Sequence, residues 1–228
     1  MPLLAQRHPV RAAWSRDVPR EFTTSVNVRL HPHSVERMNL TDWAEDTART
    51  LLETPLPRRW AHSQGVAARA RSLAPILGAD ADLLTAAAWL HDIGYAPELT
   101  NTGFHPLDGA RYLRDTEHAS DLLCQLVAHH SGAIIEAEEH GLARELCAEF
   151  QPVRPDLTDA LIYCDMTTDP DGQHLSIQQR LAEIRNRYGP GDLVIRALAR
   201  SAPYLTSAVA RISCRLADSK PAPILVVA

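Results

Sequence analysis

Lysine is nearly absent from this chain: Lys220 is the only one among 23 basic residues. Contacts to phosphate therefore fall to arginine, whose planar fork suits them. A positive excess is missing too. The formal charge is −5, which leaves no polybasic face for duplex nucleic acid or an anionic lipid surface. Paired thiols are lacking: Cys124, Cys147, Cys164 and Cys214 form no CxxC and sit in apolar surroundings, which argues against a thiolate metal site and for reduced, buried thiols in a cytoplasmic protein. No apolar run approaches the roughly 18 to 20 residues that span a bilayer. The first twenty residues hold no compact apolar segment followed by a small-residue cleavage site, so they do not read as a secretory signal.

With 228 residues the chain can form one sizeable core. Residues 1–37 carry scattered prolines and no sustained period, and are expected to be a flexible leader. Met38 is a candidate translation start, because MNLTDWAEDTARTLL opens a helix with Thr41 expected as its N-cap. From there, apolar residues recur at spacings of three and four. Helices are expected over about 41–53, 57–77, 81–92, 106–115, 119–130, 136–149, 156–168, 176–187 and 192–217. Strand signals are scarce. The expected fold is all-α, a single compact bundle over 38–218, with 219–228 as a loose tail.

Within that bundle an ordered series of metal-ligand types falls on or beside the helices: His62, His91-Asp92, His105, His129-His130 and Asp165. Each dipeptide alone carries little weight, since short motifs arise by chance. His62 shares a stripe with Val66, and a core histidine bonded to a carbonyl is its alternative reading. His91 and Asp92 close an apolar helix before Gly94. Adjacent helical residues diverge by about 100°, so the pair serves one ion lying between them or leaves Asp92 to bridge two. His105 precedes Pro106 at the start of a helix. Asp165 ends an apolar helix, where a carboxylate needs a counter-charge. Asp169 and Asp171 read as solvated turn residues, and Arg180 as half of a surface salt bridge, with reach to the substrate as the alternative. The remaining histidines receive no role.

This series resembles the HD-domain superfamily of metal-dependent phosphohydrolases: a histidine on one helix, a His-Asp pair on the next and an aspartate on a later one, matched by His62, His91-Asp92 and Asp165. RRWAHSQGVAARA, HPLDGARYL and HHSG resemble the R..HS, H...GA and H(T/S).G motifs of the HD-type symmetrical dinucleoside tetraphosphate hydrolases. The resemblance implies an HD-type helical bundle holding two divalent ions, Fe, Mn, Zn or Co, on His62, His91, Asp92, His105, His130 and Asp165. His129 is then an alternative ligand or a partner of one. The implied reaction is attack of metal-activated water on a nucleotide or other small phosphate ester, with Asp92 bridging and Arg59 meeting the phosphate. Many members have lysine three positions after the motif aspartate; here stands Tyr95, an uncharged hydrogen-bond donor to substrate. Di-iron oxygenases of the same fold, acting on a small polyol or phosphonate, share HDIGY and H...GA..L and form the alternative expectation.

Overall fold

The computed structural model describes residues 39–219; the expected leader, Met38 and nearly all of the expected tail lie outside them. Eleven α-helices follow one another among the described residues: α1 Leu40–Leu52, α2 Pro57–Ser72, α3 Ala74–Leu77, α4 Ala81–Leu90, α5 His105–Asp115, α6 Asp121–Ala128, α7 Ala133–His140, α8 Ala143–Glu149, α9 Pro155–Met166, α10 Ile177–Arg187 and α11 Leu193–Asp218. Short 3-10 turns at Ile93–Tyr95 and His130–Gly132 follow α4 and α6. No strand is present among the described residues, beyond one isolated bridge between Thr168 and His174. The all-α expectation is met.

Helix α4 organises the bundle. Every residue from Leu84 to Leu90 is buried, as expected of a helix that is apolar on all sides. Helices α1, α2, α6 and α9 pack on it, and Trp60 of α2 stacks on Trp89 of α4 with ring centroids 5.2 Å apart. A smaller apolar cluster, including Ile162, Met166, Leu181, Leu198 and Leu205, joins α9, α10 and α11. Arg211 of α11 donates to both oxygens of Asp159 on α9, at 2.6 and 2.8 Å, and ties these two helices together.

Some helix ends differ from expectation. Asn39, not Thr41, caps α1, its side chain accepting from the Asp42 amide at 2.9 Å; Thr41 donates its hydroxyl to Asn39 instead. The expected helix over 136–149 is two, because Gly141 adopts a left-handed conformation (φ 74°) that ends α7. The expected helix over 57–77 breaks at Leu73, between α2 and α3. All four cysteines are unpaired, and Cys214 is exposed rather than buried because it lies on the outer face of α11. No single described helix is long and apolar enough to cross a membrane.

Candidate metal centre

The body of α2, four helix ends and one turn bring the expected ligands together. His62 projects from α2 on the face of Ser63, Val66 and Ala67, all buried. Its Nδ1 lies 2.9 Å from the Asp169 carbonyl. The turn carrying that carbonyl sits on α2 through two glycines: a Cβ on Gly65 would stand 2.4 Å from the Gly172 oxygen, and one on Gly172 2.4 Å from the Ala61 oxygen. The DPDG turn is thus partly structural. The Asp171 carboxylate faces solvent and pairs with Arg58, while the backbone of Asp169 orients a histidine.

His91, at the end of α4, has Nδ1 2.7 Å from the Ala88 carbonyl. His130, just past α6, has Nδ1 2.6 Å from the Val127 carbonyl. In all three rings the carbonyl assigns the proton to Nδ1, so the neutral imidazole carries its lone pair on Nε2. Those lone pairs converge. His91 Nε2 is buried without any partner. His62 Nε2 faces Asp165 Oδ1 at 3.0 Å, and His130 Nε2 faces His105 Nε2 at 3.2 Å.

The six expected ligands fall into two trios, His62–His91–Asp165 and Asp92–His105–His130, with the donor atoms of each trio all within 4.8 Å of one another. Asp92 stands between them. Its Oδ1 is 3.5 Å from His105 Nε2 and 4.0 Å from His130 Nε2, and its Oδ2 is 3.6 Å from His91 Nε2. So many acceptor atoms facing one another in a buried space repel unless a cation or shared protons lie among them. Imidazole nitrogen with carboxylate oxygen is a donor set suited to a borderline divalent ion.

The electrostatics favour metal-ready protonation states. Burial opposes ionisation of Asp92, but Arg59 and the surrounding histidines outweigh it and hold the carboxyl well below the usual carboxylate range. Asp165 is likewise held low, burial being overcome first by the hydrogen bond with His62. Burial pulls His91 down to about 4 and carries His105 well below its ordinary value, against the attraction of Asp92. At neutral pH the carboxylates are charged and these two rings neutral, the forms that coordinate metal.

Arg59 and Tyr95 form the rim. Arg59 Nη1 donates to Asp92 Oδ2 at 2.7 Å. Its guanidinium carbon lies 3.8 Å from the Tyr95 ring centroid, and the His105 ring stacks on Tyr95 at 3.9 Å. Two groups this close cannot share one face of the ring, so Tyr95 is sandwiched, and burial raises the pKa of its phenol so that it keeps its proton. Both residues line a cleft together with Asp92, His105, His130 and Asp165.

Two expectations are corrected. His129 does not reach the cluster; its Nε2 donates to the Phe150 carbonyl at 2.7 Å, because the backbone leaves the helical conformation at this residue (φ −113°, ψ 13°) and turns adjacent side chains apart. Arg180 is no surface arginine: it is 5% exposed and lies 3.7 Å from Asp165, since α9 and α11 cover α10.

Two supporting residues went unassigned in the sequence. Asp108, buried in the first turns of α5, accepts from the amides of Asn101 and Thr102 and from the Thr102 hydroxyl. It anchors the loop that returns His105 to the site; its only sequence signal is an acid two residues after Pro106. Ser131 donates its hydroxyl to Asp165 Oδ2 from a strained left-handed backbone (φ 48°, ψ 34°). Ser131→Ala is expected to weaken metal binding by about tenfold, the usual order for losing a group that orients a ligand. Ser131→Gly should lose the same affinity while relieving backbone strain, so its Tm should exceed that of the alanine variant. Metal titration and thermal melting of both variants separate the two roles.

No curated protein and no solved structure matches this chain. The family model described as the HD domain matches residues 59–166, a span that holds Arg59, both trios and α4 between them. The helical bundle and the paired trios agree with this match: residues 59–166 form an HD domain, a module that implies divalent-metal binding.

Proposed function

We propose that this protein is a metal-dependent phosphohydrolase with two divalent ions, Fe, Mn, Zn or Co, acting on a nucleotide or other small phosphate ester. The observation that carries the reading is Asp92: its two oxygens face different trios, as a residue bridging two ions requires, and a cleft edged by Arg59 opens beside it. His62, His91 and Asp165 would hold one ion, and Asp92, His105 and His130 the other. Bound ions of this kind supply a water of lowered pKa and polarise a phosphoryl oxygen. Arg59 is placed to offset the charge that develops on phosphate, and the protonated Tyr95 hydroxyl to donate to it. The fully buried ring of His91 closes the inner side of the ligand cage to bulk water. Four unpaired cysteines and the net charge of −5 fit a reducing cytoplasm and a small-molecule partner better than nucleic acid.

A second reading has its own support. Each trio holds two histidines and one carboxylate, the set that non-haem Fe(II) oxygenases also use, so a di-iron oxygenase acting on a polyol or phosphonate is the alternative. Metal analysis followed by a hydrolysis screen under nitrogen, across nucleotides, dinucleotides, sugar phosphates and bis(p-nitrophenyl) phosphate, decides between them. Phosphate or nitrophenol release without oxygen is expected. Silence in that screen, with oxygen uptake by the Fe(II)-loaded protein on adding a polyol or aminophosphonate, would reverse the order.

A further inference from the structure

We propose that a second anion subsite adjoins the cleft: a hollow walled by Arg58, Arg59, Arg180 and Arg187 beside His62 and Pro170, suited to a second phosphate or similar dianion on the same substrate molecule. The inference rests on the phosphohydrolase reading for the first phosphate and narrows the substrate class to esters that carry two anionic groups. Arg59, Arg180 and Arg187 line both the hollow and the cleft, so one small molecule can touch both spaces across a wall of guanidinium groups.

Arg180 provides the independent observation. The residue is 5% exposed, and its Nε is covered without any hydrogen-bond partner. A buried guanidinium N–H without an acceptor is costly, and an oxyanion seated beside it would remove that cost. The local carboxylates do not balance the arginines. Glu183 is shared between Arg180 at 2.7 Å and Arg187 at 2.5 Å. Arg58 has Asp171 at 2.9 Å, and Arg59 has Asp92 at 2.7 Å. Four guanidinium groups thus meet three closely paired carboxylates, and Asp165 stands 3.7 Å from Arg180. In the proposed function Asp92 and Asp165 are committed to metal, which leaves Asp171 and Glu183 against four arginines. A dianion completes that balance, and arginine forks read its oxygens in pairs.

Calorimetry under nitrogen on the metal-loaded full chain, with propylphosphonate and 1,3-propanediphosphonate, tests the subsite with probes that differ by one anionic group and resist hydrolysis. The diphosphonate is expected to bind about tenfold more tightly, the order of one charge-assisted contact set. Arg187→Ala, at a partly exposed position, should cut that advantage to about twofold or less. Arg180→Lys keeps the buried charge but loses the fork, and should cut it likewise, so a folding defect in one variant does not decide the matter. Equal affinity for the two probes in the unmodified protein, or an advantage untouched in both variants, overturns the subsite. If the hydrolysis screen fails while the advantage persists, only the phosphohydrolase reading falls; if phosphate is released but no advantage exists, only the subsite falls.

Discussion

Asp92→Asn is expected to lower turnover by at least about a thousandfold, the scale of losing a group that fixes transition-state electrostatics, and to bring metal content from two ions per chain to one or none. The side chain is 3% exposed and touches both trios and Arg59. Asparagine keeps the shape and still offers Arg59 a carbonyl oxygen, so the fold should survive. It removes the negative charge that offsets buried cations and the second oxygen that reaches the other trio. Asp92→Ala removes the partner of Arg59 as well, and an unpaired, largely buried charge costs about 3–5 kcal/mol; that variant tests stability as much as chemistry. Metal analysis by mass spectrometry beside a turnover assay reads the result. Unchanged metal content together with unchanged turnover in the asparagine variant would remove the centre as proposed.

What could be read from the sequence followed from local pattern. The apolar run of α4, interrupted only by Thr85 after its first turn, announced a buried helix, and a buried helix ending in His91-Asp92 puts two polar residues at the floor of the bundle. The order of His62, His105, His130 and Asp165 placed each on or beside a helix, and all of them meet there. The rest depended on contacts between segments distant in the chain. Arg180 and Glu183 are three apart, a spacing that reads as a solvated pair; only the packing of α9 and α11 over α10 buries the arginine. The proton position on His62 depends on the carbonyl of Asp169, more than a hundred residues away. His129 and His130 carry the same side chain, and the backbone at the end of α6 alone decides which one faces the acids. The Thr41 cap failed for a smaller reason: Asn39 offers a side-chain oxygen of similar reach two residues earlier.

A second large loss of stability is expected at a residue that coordinates nothing. Gly94→Ala should destabilise the fold by about 3 kcal/mol, at the upper end for an overpacked site, and should lower metal affinity with it. A Cβ at Gly94 would stand 2.0 Å from the His105 carbonyl oxygen and 2.7 Å from the Gly109 amide nitrogen. Both are backbone atoms of α5, so no rotamer change relieves the clash. Either the turn at Ile93–Tyr95 or the start of α5 must move, and the turn carries Tyr95 while the helix carries His105. Because Tyr95 and His105 stack on each other, a shift of either separates the rim from the Asp92–His105–His130 trio. The same close approach explains why glycine stands opposite glycine here: Gly109 lies against Gly94 with little room of its own, since a Cβ on Gly109 would stand 3.1 Å from the Gly94 nitrogen. Gly189→Ala is the matched control, since a Cβ there meets nothing within 4 Å. Thermal melts of the two variants, each with and without added metal, should show a large loss for Gly94→Ala that metal restores only in part, and almost none for Gly189→Ala. Equal melting of the two variants would mean that α5 does not press on this turn, and that His105 owes its place to the Asp108-anchored loop alone.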